Sequence, residues 1–204
     1  MSSTDELLKN NERFAASFRG GPATPPARGV AVIACMDARL NVYAILGLAE
    51  GDAHVIRNAG GVITDDGIRS LAISQRLLGT TEIILVHHTD CGMLTFTDDA
   101  FKASIEADTG IKPPWVAEAF GDLDASLRQS MARIRASPFL PHTDAVRGFV
   151  FDVGTGRLRE VSLRRDQRSG VSPWPCCSAR NRSNWAPSSS AVGMSSGWPP
   201  SEFA

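Results

Sequence analysis

Two uninterrupted apolar runs, GVAVIAC ending at Cys35 and EIILVHH ending at His88, constrain the fold of this chain most strongly. Neither alternates polar with apolar residues, so each predicts a strand covered on both faces, as in the interior of a parallel sheet. A third segment, AHVIRNAGG, predicts another strand followed by a glycine-rich turn. Helical patterns lie between them. DARLNVYAILGL predicts a short helix with Leu40, Tyr43, Ile45 and Leu46 turned inward. Asp65 or Asp66 is expected to cap a longer helix bearing Ile68, Leu71, Ala72, Gln75, Leu77 and Leu78, closed by Gly79. Strands alternating with helices imply right-handed crossovers and an α/β fold. The expectation is a central, mainly parallel β-sheet flanked by helices, with ligands outside the carboxyl ends of the strands.

The flanks add to this plan. Thr4 to Phe18 carries Leu7, Leu8, Phe14 and Phe18 among charges and predicts an N-terminal amphipathic helical arm, ended by the Gly- and Pro-rich stretch from Gly20 to Arg28. Thr97 to Ser137 reads as mainly helical, interrupted at Pro113 and Pro114. RGFVFDVGTGRLREVSL then predicts a C-terminal hairpin turning at Gly154 to Gly156. Patterned sequence stops near Leu163. The expected organisation is one domain over residues 1–163 and an atypical, poorly ordered tail over 164–204, rich in Ser, Pro and Trp. The tail's composition resembles a shifted reading frame of a GC-rich gene.

At 204 residues one well-buried domain is the natural size. A hydrophobic content of 43% and a charged content of 21% are those of a globular protein. A formal charge of -1 without a basic run excludes the electrostatic footprint of a nucleic-acid or anionic-membrane partner. The polar N-terminus has no apolar signal region, and no run of about 18 apolar residues occurs, so the expected compartment is the cytoplasm. Reducing conditions there argue against structural disulfides for Cys35, Cys91, Cys176 and Cys177.

Cys35 opens C-x-D-x-R, and His88 and Cys91 form H-x-x-C directly after the third strand. Each motif is weak alone, because buried cysteines are common as small hydrophobes. Both fall at strand ends of one alternating pattern, where two thiolates and an imidazole can converge on one metal. Zinc accepts such S and N donors tetrahedrally, and three protein ligands leave a fourth position for water or for an exchangeable carboxylate, which Asp37 can supply. The competing reading of Asp37 and Arg39 is an ordinary ion pair at a helix start. His87 lies on the opposite side of an extended chain from His88 and is expected to be packed or hydrogen-bonded. His54 and His142 lack a partner pattern, and Cys176 and Cys177 sit in the irregular tail. RNAGG, Arg57 to Gly61, lacks the G-x-G-x-x-G spacing and the lysine of a phosphate-binding loop.

Taken in order, ACMDARL, VIRNAGG and LVHHTDCGM resemble the β-carbonic anhydrases, particularly the short bacterial type, over about Thr4 to Leu163. The resemblance implies one Zn2+ per chain on Cys35, His88 and Cys91, with Asp37 and Arg39 as a dyad gating the metal. It implies reversible hydration of CO2 to bicarbonate and a proton, with hydroxide formed from water at the metal as the nucleophile. It further implies that Asn58 to Gly61 form a backbone wall of the metal cleft, with glycine allowing close approach, and that the chain forms a homodimer or higher even homo-oligomer in which the N-terminal helix lies across the neighbour. Two rivals stand beside it: a CS2 or COS hydrolase with a similar site, and a non-catalytic zinc or redox-sensing protein in which Asp37 closes the metal permanently.

Overall fold

A computed structural model describes residues 2–163, all within a compact unit spanning Met1–Arg165. The tail expected from residue 164, with Cys176 and Cys177, lies outside the described residues. Five strands form one sheet in the order β2-β1-β3-β4-β5, with β1 at Val30–Cys35, β2 at Ala53–Asn58, β3 at Glu82–His88, β4 at Val146–Phe151 and β5 at Leu158–Val161. The first four in that order run parallel, and β5 returns antiparallel beside β4 as the second arm of the expected hairpin. This is the mainly parallel sheet that the apolar runs predict.

Both faces of the sheet are covered, which is why β1 and β3 are apolar without alternation. On one face, Ala31, Ile33, Ile83 and Leu85 pack with Leu71 of helix α3 (Asp65–Leu78) and with Leu127, Met131 and Ile134 of helix α5 (Leu123–Arg135). On the other, Val32, Ala34 and Val86 pack with Leu40, with Val42 of helix α2 (Val42–Leu46), and with Met93. Gly148 in β4 lets α5 lie close, since a Cβ there would come 2.9 Å from Leu127 Cγ.

Several local expectations need correction. Tyr43 was expected to face inward but is 44% exposed. Helix α2 has only five residues, and its inward face is Val42, Ile45 and Leu46, an i, i+3, i+4 set that leaves Tyr43 about 100° away. Neither Asp65 nor Asp66 caps α3. Thr64 does, accepting from the Gly67 amide, and the two aspartates occupy the first turn, where the helix dipole favours them. Leu77 lies off the stripe and is 75% exposed, while Gly79 closes the helix in the left-handed conformation as expected. The stretch from Thr97 to Ser137 contains two helices, α4 (Asp98–Thr109) and α5, separated by a non-helical segment that includes Pro113 and Pro114.

The N-terminal arm is a helix, α1 (Ser3–Ser17), begun by a capping box between Ser2 and Asp5 and burying none of its residues. Leu7, Leu8, Phe14 and Phe18 are all exposed. No helix among the described residues is long and apolar enough to cross a membrane.

Candidate metal centre

Parallel strands deliver their C-terminal residues to one edge of a sheet, and here β1 ends at Cys35 while neighbouring β3 ends at His88. The chain stays tied to the sheet as it leaves: the Met36 amide donates to the Asn58 carbonyl at 2.8 Å, and the Thr89 amide to the Phe151 carbonyl at 2.9 Å. The chain then turns through Asp90, at φ 56°, and brings Cys91 back to the same edge, just before the 3-10 turn Gly92–Leu94. The sulfur atoms of Cys35 and Cys91 and a ring nitrogen of His88 lie within 4.8 Å of one another, and all three residues are buried.

The donor set fits a metal ion. Nδ1 of His88 pairs with the Thr89 carbonyl at 2.9 Å, which fixes that nitrogen as the N–H and leaves Nε2 with its lone pair. Nε2 is buried without a hydrogen-bond partner. A buried polar atom left unpaired costs free energy unless something ligates it, and a cation beside two thiols satisfies that need. Two sulfurs and an imidazole suit a borderline divalent cation.

The two thiols are coupled through a hydrogen bond between them. The S–H of Cys91 holds the Cys35 pKa below the usual thiol range, with further help from His88 and backbone amides, against the opposing effect of burial. That same pairing, with burial, pushes Cys91 up. For His88 burial is the largest single influence and disfavours the charged ring, but Cys35, the Thr89 carbonyl and Asp37 together outweigh it and raise the pKa.

Asp37 and Arg39 stand at the mouth of this cluster. Arg39 grips the carboxylate bidentately, Nε donating to Oδ1 at 2.9 Å and Nη2 to Oδ2 at 2.8 Å, and the Arg39 amide also donates to Oδ1 at 2.9 Å. The guanidinium and then the amide hold the Asp37 carboxyl well below the usual carboxylate range. Oδ2 nevertheless comes within 3.7 Å of His88 Nε2. Asp37 therefore lies between its arginine and the ligand cluster.

Three neighbours escaped the sequence reading. Asp90 accepts from Arg39 on the side away from Asp37. Arg57 donates to the carbonyls of Cys35 and Asp37 and so braces the backbone that carries both. Asp98 takes the amides of Ala117, Glu118 and Ala119, fixing the segment that leads to Phe120. Asp90 lay inside H-x-x-C and Arg57 inside RNAGG, but neither motif signals these contacts.

His87 is buried, with Nε2 3.3 Å from the Gly61 carbonyl and its ring stacked on Phe120 at 5.4 Å. Burial lowers its pKa to about 4, so the ring is neutral. His54 pairs through Nδ1 with Ser74, away from the cluster. The RNAGG turn forms a wall: Gly61 has φ 68°, and a Cβ there would fall 2.7 Å from the Cys35 amide nitrogen.

Comparison with known proteins agrees with this geometry. Residues 30–137 match the family model described as carbonic anhydrase. "Beta-carbonic anhydrase 1" of Mycobacterium tuberculosis is 59% identical over 162 residues, covering 79% of this chain and 99% of the relative. "Carbon disulfide hydrolase" of an Acidianus species is 35% identical over 181 residues, covering 76% of this chain and 87% of that protein. Among solved structures, the carbonic anhydrase of Streptococcus mutans superposes with a TM-score of 0.75 at 42% identity, covering 79% of this chain and 99% of that one.

Proposed function

Because the chain belongs to the β-class carbonic anhydrase family, we propose that it catalyses the reversible hydration of CO2 to bicarbonate and a proton, using one zinc ion per chain held by Cys35, His88 and Cys91. The observation that carries this reading is the convergence of three buried ligand atoms, one of them the unpartnered His88 Nε2. When bound, zinc would supply a Lewis acid that lowers the pKa of a water molecule far enough to make hydroxide available. Cys35 and Cys91 as thiolates bring two negative charges to the site, so that ionisation should require a more alkaline pH than beside three neutral imidazoles.

Asp37 and Arg39 control access. Gripped by Arg39, Asp37 keeps its carboxylate beside the ligand atoms, where it accepts a hydrogen bond from the attacking water and aims the oxygen at CO2. Released by Arg39, the same carboxylate would take the place of water and shut the site. Arg39 thus acts through Asp37 and is a positioning residue. The groove beside the site is walled by Met36, Val62, Met93, Phe96 and Phe101, surfaces that suit a small uncharged substrate.

A carbon disulfide hydrolase is also a relative, and CS2, likewise small, linear and uncharged, suits the same groove. Stopped-flow measurement of CO2 hydration, beside CS2 hydrolysis by the same zinc-loaded sample, separates the two. We expect the first activity to dominate; CS2 turnover without CO2 hydration would assign the chain to the second group. Zinc-replete protein inactive on both would favour the closed, redox-sensing alternative.

The exposed leucines and phenylalanines of α1 support assembly into a homodimer or higher even oligomer, with this helix laid across a second copy. The need for free thiols at Cys35 and Cys91 suits the reducing cytoplasm. Residues 1–163 are proposed as the catalytic domain, with 164–204 playing no part in catalysis.

A further inference from the structure

Arg39 is held from two sides. Its Nε and Nη2 serve Asp37, whereas Nη1 donates to Asp90 Oδ2 at 2.7 Å and Nη2 also reaches the Asp90 carbonyl at 2.9 Å. All three nitrogens of the guanidinium are engaged. Asp90 is 51 residues away in sequence, in the loop between His88 and Cys91, and its φ of 56° lies in the left-handed region that Asp and Asn tolerate better than other side chains. That backbone turn sets both its carbonyl and its carboxylate beside Arg39.

The two carboxylates do not compete. Asp37 takes the Nε edge of the fork and Asp90 takes Nη1, so a planar guanidinium can satisfy both at once. Arg39 is 47% exposed, and a long side chain that open has many alternative rotamers. Fixing its far end removes most of them.

The geometry points to Asp90 as a positioning residue that locks Arg39 in the posture from which it keeps Asp37 off the metal ligands. This rests on the reading that Asp37 and Arg39 gate the site, and adds the device that sets the gate. Asp90 is itself 79% exposed, so its hold is modest, a few-fold in the open-to-closed equilibrium.

Anion binding reads that equilibrium without recourse to catalysis, because the apparent dissociation constant rises as the open fraction falls. The probe is thiocyanate, titrated by absorption into full-length cobalt-loaded protein at one fixed alkaline pH, with cobalt content measured in each sample. Asp90→Gly and Asp90→Asn both accept the left-handed conformation, both remove the negative charge and both keep the backbone carbonyl that Nη2 reaches, but only Asn keeps a side-chain acceptor for Arg39 Nη1. The thiocyanate dissociation constant of Asp90→Gly is expected to exceed that of Asp90→Asn at equal cobalt content, by at most the few-fold change in the open-to-closed equilibrium. Equal constants in the two variants would overturn the proposal. Arg39→Ala, run in parallel, separates the levels: weaker thiocyanate binding there with no difference between the Asp90 variants removes Asp90's role alone. Unchanged binding in Arg39→Ala removes the gate and this inference with it.

Discussion

Oδ2 of Asp37 lies 3.7 Å from Nε2 of His88, while Arg39 holds the same oxygen from the other side at 2.8 Å. One oxygen is thus shared between a guanidinium and the space a metal would fill. The lone pairs with which this carboxylate accepts from Arg39 are the ones it would offer a metal, so losing the first partner would favour the second.

Removing a proposed ligand should remove the metal. Cys35→Ala, His88→Ala and Cys91→Ala would each delete one of the three proposed protein bonds, and each variant should retain far less than one zinc per chain by elemental analysis after dialysis. The same variants should lose the rise in melting temperature that zinc gives the parent. Full zinc in Cys91→Ala would place the metal elsewhere.

Arg39→Ala should keep its zinc, since no ligand is lost, yet hydrate CO2 at least about tenfold more slowly, the cost of a lost charge-assisted pair in the step it controls. Asp37→Ala should differ. It opens the site but loses the group that orients water, so its defect should lie in kcat, with thiocyanate bound at least as well as by the parent. Parent-like CO2 hydration by Arg39→Ala, measured by stopped flow at alkaline pH, would make Arg39 merely structural.

His87 gives a pH signature of stability. Its folded pKa of about 4 lies below the ordinary 6.5 because the ring is buried, so the unfolded chain binds a proton that the folded one refuses. Stability from this residue is therefore complete above about pH 6.5 and is lost as pH falls towards 4, to a total of about 3 kcal/mol. His87→Gln cannot titrate but can still donate to the Gly61 carbonyl. Between pH 7 and 4.5 the urea midpoint of metal-free parent should fall more steeply than that of His87→Gln. Parallel slopes would show that His87 titrates normally.

What the sequence revealed, and what it hid, follows from the range of each interaction. β1 and β3 were legible because a strand covered on both faces must be apolar throughout, and the fold then fixes where Cys35 and His88 emerge. Helix α2 was harder: five residues give less than two turns of periodicity, so Tyr43 and Ile45 could not be sorted by pattern. Thr64 and Asp65 are both good capping residues, and only the backbone dihedrals decide between them. The contacts of Arg39 with Asp90 and of Arg57 with Cys35 span 51 and 22 residues, and depend on which way a carbonyl turns at a strand end. Such directions are set by tertiary structure. Local pattern carries no record of them.

Residues 164–204 should be dispensable. The mycobacterial relative is matched over 99% of its own length by 162 residues of this chain, so it has no counterpart for the remainder. A chain ending after Leu163 should bind zinc and hydrate CO2 within about twofold of the full chain. A large loss of either, by elemental analysis or stopped flow, would assign the tail a role in the domain.

The most direct measurement is a zinc titration of the metal-free full-length protein, with the CO2 hydration rate followed by stopped flow at alkaline pH. The rate should begin at the uncatalysed value, climb linearly, and level off at about one zinc per chain, the capacity of a single Cys35, His88 and Cys91 cluster. Catalysis by the metal-free protein, or none after one equivalent has bound, would contradict it.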